Sequence, residues 1–292
     1  QVVSLLHDDR IKKVGHNLNY DLAVLSKYGV NANKVKIGFD TMLAAHLLNE
    51  RAVGLKALAF KRLGVEMVEI RQLIGVGRQQ ITFDNVSIPV AAPYAAADAD
   101  LTLRLASMLE AELDDVGLRT FLIDNELPLI PVLVQMEING ITLDSEILRT
   151  MSKDLDREIA ELEQRAFELV GHQFSLSSPK QLGEVLFEEL MLPKGRRTQH
   201  GYSTDAATLE GFQRMPLDAL SNAKAGALEV VSSILEFRSL TKLKSTYVDA
   251  LPKLVDRRTS RIHTSYNQAG SATGRISSND PNLQNIPIKT EE

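Results

Sequence analysis

The sequence predicts an α/β domain followed by a mostly α-helical region that closes in the start of an α+β element. Three observations carry this reading. Near the N-terminus, two short apolar stretches ending in Gly15 and Asp40 each run into a capping residue and a helical pattern. From Asp144 onward, apolar residues recur every three or four positions over long spans. The final stretch is polar and broken by Pro281 and Pro287, with almost no apolar bulk, so it serves a surface and not a core.

Composition bounds the function before any motif does. At 292 residues the chain is long enough for two domains with sizeable cores. Hydrophobic content of 44% and charged content of 24% place it among ordinary globular proteins. The longest apolar stretch, residues 127–134, is broken by Pro128 and Pro131 and falls far short of the ~18 residues a span requires, so no membrane segment is expected. The absence of cysteine excludes disulfides, thiolate catalysis and cysteine zinc sites, and fits a reducing cytoplasm. The histidines, His7, His16, His46, His172, His200 and His263, never pair four apart, so a histidine metal site has no local signature. Net charge is -5, which speaks against polyanion binding only if charge is evenly spread. It is not: residues 236–275 hold eight Lys and Arg against three Asp and Glu. Such a stripe reads either as a phosphate footprint or as a solvated helix face.

The elements follow in order. Ile11-Lys12-Lys13-Val14-Gly15 ends a strand, Asn17 is the expected N-cap, and Leu18, Leu22 and Leu25 fall at helical spacing until Gly29. Asp21 lies one turn beyond Asn17, where a carboxylate can simply complement the helix dipole. Gly38-Phe39-Asp40-Thr41 is a second strand end feeding a helix. Residues 55–63 form a short amphipathic helix stopped by Gly64. Gly75-Val76-Gly77-Arg78 lacks the spacing of a phosphate loop and reads as a flexible connection. Pro93 marks the start of the next helix, with Tyr94 at its head; Tyr94 and Asp98 share a face and Asp100 points elsewhere. Around residues 114–120 the α/β region gives way to helices. Asn139-Gly140 signals a tight turn, Asp144 caps a long amphipathic helix ended by Gly171, and Ser178-Pro179-Lys180-Gln181 combines an N-cap, a first-turn proline and a capping-box glutamine. Residues 194–201 make a basic loop bounded by glycines, and residues 225–255 read as a further long helix carrying Arg238, Lys242 and Lys244.

The closing stretch reads Ser271-Ala272-Thr273-Gly274-Arg275-Ile276-Ser277-Ser278-Asn279-Asp280-Pro281-Asn282-Leu283-Gln284-Asn285-Ile286-Pro287. This run resembles the polymerase-domain signature of the family A DNA polymerases. An enzyme that copies any sequence must grip every base pair alike, and the minor-groove acceptors shared by all four pairs permit that. The resemblance implies that Arg275, Asn282, Gln284 and Asn285 contact primer-template DNA there, with Gly274 admitting close backbone approach. Lys289 stands where the family often has arginine, keeping the charge but not the fork. It implies too that the helix over residues 225–255 is a thumb helix, with Arg238 and Lys244 as candidates for phosphate contacts.

A second resemblance lies upstream. Gly15-His16-Asn17-Leu18-Asn19-Tyr20-Asp21 and Tyr94-Ala95-Ala96-Ala97-Asp98 are similar to the second and third motifs of the 3′-5′ proofreading exonuclease domain of the same family, a ribonuclease H-like α/β fold. Hydrolysis of a phosphodiester by two metal ions needs hard oxygen ligands for Mg2+ or Mn2+. By resemblance, Asp21 and Asp98 bind metal, Tyr94 positions the attacking water, and Asn17 lines the site. The implied domains are 1–117, an exonuclease domain lacking its N-terminal strands, and 118–292, the thumb and the start of the palm. The implied partners are primer-template DNA and single-stranded DNA 3′ ends, met by a monomer in the bacterial cytoplasm.

Two departures qualify this. The family's first exonuclease motif, an Asp-x-Glu on an early strand, has no counterpart here, so the chain is expected to hold a second ion poorly and to trim DNA slowly or not at all. The palm's catalytic aspartates and the fingers helix, which follow the signature in the family, have none either, so the chain is expected not to copy DNA. With Gln1 first and Glu292 directly after the signature, both ends read as cut. Two rivals share parts of the pattern: a ribonuclease D-like exonuclease with a helical nucleic-acid domain, which has no use for Gly274-Arg275, and a catalytically dead DNA-binding protein.

Overall fold

In a computed structural model, describing residues 1–198, 201–216 and 218–287, strand β1 (Lys13–Gly15) pairs in parallel with β2 (Ile37–Asp40), placing Gly15 opposite Asp40. Helix α1 (Leu18–Ser26) connects them, as the run of strand, glycine and helical spacing predicts. Gly15 is required at the turn: a Cβ there would lie 2.3 Å from Leu18 Cδ2 and displace the first buried leucine of α1. Helix α2 (Thr41–Leu47) leaves β2 directly. Leu22, Phe39, Leu43, Leu105, Leu109 and Leu113 then close one core.

Chain contacts define two units. One comprises Gln1–Ile141 with His263–Asn285; the other is built on Thr142–Ile262. Besides the β1-α1-β2 layer, the first unit contains α3 (Ile88–Asp115), α4 (Leu127–Asn139) and an antiparallel hairpin of β3 (Ser265–Asn267) and β4 (Ser277–Asn279), with Tyr266 opposite Ser278. The second unit is helical. Helix α5 (Ser145–Val170) and α6 (Ala227–Leu243) pack together over a core that includes Leu182, Leu186, Phe212, Val230 and Ile234. No helix among the described residues is long and apolar enough to cross a membrane.

Several termini match their sequence signals. Asp144 Oδ1 accepts from the N–H groups of Glu146 and Ile147, and Ser178 accepts from Gln181. The Gln181 side chain departs from the capping box, accepting instead from the Ser175 N–H at 2.6 Å. Two helices differ in extent. The α3 helix begins at Ile88, with Pro89 in its first turn, so Pro93 lies inside it and Tyr94 sits further along than a helix head. The span over 225–255 is α6 followed by a wider-wound segment, Lys244–Val248, and a short 3-10 turn, Leu251–Leu254. Lys289, and Gln199 and His200 of the basic loop, lie outside the described residues.

Candidate functional site

Helices α1 and α3 bring Asp21, Tyr94 and Asp98 to one cleft of about 910 Å³. Asp21 sits one turn into α1; Tyr94 and Asp98, four apart, project from one face of α3. The cleft strips water from the Asp21 carboxyl, and Asp40 and Asp98 add like charge, so its pKa is pushed up to about 6. Burial raises Asp98 too, against the pull of Lys56. The Tyr94 ring lies 5.9 Å from that of Phe83, and the Lys56 ammonium stands 5.4 Å from its centroid.

Residues to which the sequence assigned no role complete the walls. His16, Tyr20, Lys56 and Glu69 line the same cleft. The Thr41 hydroxyl donates to the Gly15 carbonyl at 3.2 Å, which leaves its oxygen to accept from His16 Nδ1–H at 2.9 Å. With the hydroxyl proton on the Gly15 carbonyl, the His16 proton is assigned to Nδ1 and Nε2 keeps a lone pair. Burial lowers the His16 pKa to about 4, so the ring is neutral near pH 7. His16 was legible as a neighbour of Asn17; Lys56 and Glu69 come from segments with no spacing signal.

Asn17 holds the N-cap position its sequence context predicts, without the side-chain bond of a cap and outside the cleft. It is left-handed (φ 62°, ψ 51°), its side chain makes no capping bond, and it borders a small cavity with Asn19, Asp40 and Gln268 instead of the cleft. The cap is Asp40. Its carboxylate is 1% exposed and accepts from Leu18 N–H at 2.7 Å and Asn17 N–H at 3.3 Å, starting α1, and from Met42 and Leu43 N–H at 2.9 and 3.2 Å, starting α2. Burial raises its pKa and the four amides oppose that rise.

The hairpin presents the polar run at the surface. Arg275, Asn282, Gln284 and Asn285 are all exposed, and Gly274 has φ +74°, a left-handed conformation that favours glycine. Interior bonds shape the loop: Leu283 N–H donates to Ser278 Oγ at 2.9 Å, Gln284 N–H to Asn282 Oδ1 at 3.0 Å, and Gln284 Nε2 to the Ile276 carbonyl at 2.6 Å. Glu137 on α4 ties this hairpin to α1. Its Oε1 accepts from Asn19 Nδ2 and from Tyr266 N–H, both at 2.7 Å, and its carbonyl lies 2.8 Å from His263 Nδ1. Nothing in the local sequence of Glu137 announces that role.

In the second unit the two basic candidates are already engaged. Arg238 is partly buried and bonds the Thr204 carbonyl and hydroxyl. Lys244 pairs with Asp249 at 2.7 Å and Asp156 at 3.3 Å, with its side chain only 17% exposed. Lys242, Lys253 and Arg257, by contrast, are exposed.

A divalent cation suits the donor set at α1 and α3, because burial raises the proton affinity of both carboxylates, Asp98 adds to the rise at Asp21, and a hard cation relieves that charge. Among the described residues, however, no three His, Asp or Glu side chains gather closely enough to hold an ion by themselves.

Comparison with known proteins gives the family. Residues 1–114 match a family model described as 3′-5′ exonuclease, and residues 145–292 one described as DNA polymerase family A. Similar proteins include the DNA polymerase I of Pseudomonas aeruginosa, 41% identical over 99% of this chain, and that of Chloroflexus aurantiacus, 44% identical over 96% of it. The DNA polymerase I of Rhizobium leguminosarum is 41% identical over 99%. The chain spans 31%, 29% and 27% of the lengths of these relatives. Among solved structures, the POL domain of Pol1 from M. smegmatis in complex with DNA primer-template and dNTP superposes with a TM-score of 0.77 at 32% identity, over 99% of this chain and 45% of that one. With a polymerase model matched over half of its length and an exonuclease model ahead of it, the chain belongs to DNA polymerase family A.

Proposed function

We propose that this chain is the portion of a DNA-directed DNA polymerase I in which a ribonuclease H-like 3′-5′ exonuclease domain (1–117) leads into the thumb and early palm (118–292). The observation that carries the reading is the meeting of Asp21, Tyr94 and Asp98 in one cleft, on a chain that also presents Arg275 and its carboxamide neighbours at the surface. Asp21 and Asp98 are the residues that would hold Mg2+ or Mn2+, which when bound supplies a Lewis acid for phosphodiester hydrolysis. The Tyr94 hydroxyl orients water at the scissile phosphate, and His16, with its proton assigned to Nδ1, offers Nε2 as an acceptor in the same cleft. Among the described residues no third His, Asp or Glu gathers with Asp21 and Asp98 closely enough to hold an ion, and the chain alone trims DNA weakly or not at all.

On the hairpin, Arg275, Asn282, Gln284, Asn285 and, by its sequence position, Lys289 face the minor groove of primer-template DNA and test pair shape. Asn17, outside the cleft, acts through the backbone turn that aims α1. Arg238 and Lys244 reach phosphate only by exchanging their present partners. The chain works as a monomer in the cytoplasm. A ribonuclease D-like identity leaves the match over residues 145–292 without a role.

Anisotropy titrations test this. Primer-template DNA is expected to bind with an affinity that falls steeply with salt, and Arg275→Ala is expected to reduce the discrimination between matched and mismatched primer termini. Preference for RNA 3′ ends, or binding indifferent to both salt and Arg275, would overturn the reading. Brisk Mg2+-dependent release of 3′ nucleotides, abolished by Asp98→Ala, would overturn the weak-exonuclease part alone.

A further inference from the structure

The Asp21–Asp98 cleft contains one feature that its acidic chemistry does not require. Of the described residues that line it, Asp21, Glu69 and Asp98 bring negative charge, His16 is neutral, and Lys56 is the one lysine or arginine. The Lys56 ammonium is held from two sides, 3.3 Å from Glu69 Oε2 and 5.4 Å from the Tyr94 ring centroid. Glu69 is itself anchored, its backbone N–H donating to Gln72 Oε1 at 3.2 Å at the start of the short helix Ile70–Ile74. Both partners remain open to water, with side chains 30% and 45% exposed, and an ion pair that open is worth little and exchanges readily.

We propose that Lys56 is a phosphate-binding residue of this cleft and that Glu69 occupies it as an internal stand-in, displaced when a backbone phosphate of single-stranded DNA arrives. The inference rests on the reading of the cleft as an exonuclease site. An anionic strand entering a cleft lined by three carboxylates is repelled unless cations meet it. Asp21 and Asp98 would hold a divalent ion that offsets part of this charge, and Lys56, beside Tyr94, supplies a cation of the chain's own for a backbone phosphate. Exchanging one oxyanion for another at Lys56 conserves the charge around it. Glu69 thus keeps the ammonium oriented in the empty cleft and sets a threshold against weak anions.

Binding of a labelled oligothymidylate to the whole chain, in Ca2+ and over a salt series, separates the possibilities. Lys56→Ala is expected to weaken binding about tenfold, the scale of one hydrogen bond to a charged group. The same change should lower the slope of log affinity against log salt by about 0.7, one single-strand phosphate, and Lys56→Arg should retain both. Glu69→Gln should tighten binding when Lys56 is present and do nothing in a Lys56→Ala background. Equal tightening in both backgrounds would mean that Glu69 acts only through the general field and would overturn the proposal, as would an unchanged slope in Lys56→Ala. A Lys56 effect seen with thymidine monophosphate but not with the oligonucleotide would overturn the assignment to a strand. Absence of any binding by the unaltered chain would overturn the cleft reading and this inference together, whereas binding indifferent to Lys56 would remove only the inference.

Discussion

Asp21 and His16 face one cleft and titrate in opposite senses, which makes their contributions separable. The Asp21 pKa of about 6 lies above the ~3.9 of an unfolded chain. The folded state therefore binds this proton more tightly, and stability in metal-free buffer falls as pH rises from about 4 to about 6 and is level above that. His16, lowered to about 4 from an unfolded ~6.5, does the reverse: its contribution is complete above about 6.5 and is lost as pH falls toward 4. Between these limits the slopes oppose, so the unaltered protein hides both. Asp21→Asn is expected to match it in urea midpoint near pH 4 and to exceed it at pH 7 by about 1 kcal/mol, a figure reduced for solvent screening at the open edge of the cleft. An advantage equal at both pH values would show that Asp21 does not titrate in this range. At this scale the sequence was informative where spacing is contiguous. Tyr94 and Asp98 are four apart on one helix and Asp21 follows a strand-glycine turn, whereas Lys56 and Glu69 reach the cleft from segments that each supply a single charged residue.

The elements show why one prediction from local sequence went astray. Asn17 has the composition of an N-cap and stands at the right place, yet Asp40, 22 residues beyond Leu18, takes the N–H groups. A parallel β1-β2 pair brings Gly15 level with Asp40, so a carboxylate capping its own helix reaches the neighbouring helix start as well. No window short enough to read one helix contains both partners. Asp144, Ser178 and Gly171 were legible because each acts within its own turn. Asp40→Asn offers one acceptor oxygen where two are used and turns an N–H2 toward the Leu18 amide. It is expected to lower stability by about 2–3 kcal/mol, the scale of a buried donor left unpaired, as measured by urea denaturation. Asn17→Gly, which removes a side chain that caps nothing from a left-handed position, should stay within about 0.5 kcal/mol of the original. A large loss from Asn17→Gly together with a small one from Asp40→Asn would reverse this assignment of the cap.

Over the whole molecule, a net charge of -5 coexists with a basic run in residues 236–275, and the structure divides that run into cations already bound and cations facing water. The resemblance named Lys244 with Arg238 as a candidate for phosphate contact because of its place in the thumb-like helix; the sequence could not reveal that Asp156, on α5, and Asp249 converge on the same ammonium. Ser152 Oγ donates to Asp249 at 2.8 Å, so removing Lys244 takes from two carboxylates the ammonium on which they converge. Lys242, two residues earlier on α6, is exposed. The two lysines should therefore fail differently. Lys242→Ala is expected to leave the urea midpoint unchanged and to lower the slope of log affinity for primer-template DNA against log salt by about 0.9, one released counterion on a duplex. Lys244→Ala is expected to lower the urea midpoint, most clearly at low ionic strength, with a smaller change in the salt slope. If Lys244→Ala instead removes a full counterion from the slope and leaves the midpoint intact, then the lysine leaves Asp156 and Asp249 for phosphate when DNA binds, and the internal pairs are resting contacts that the duplex replaces.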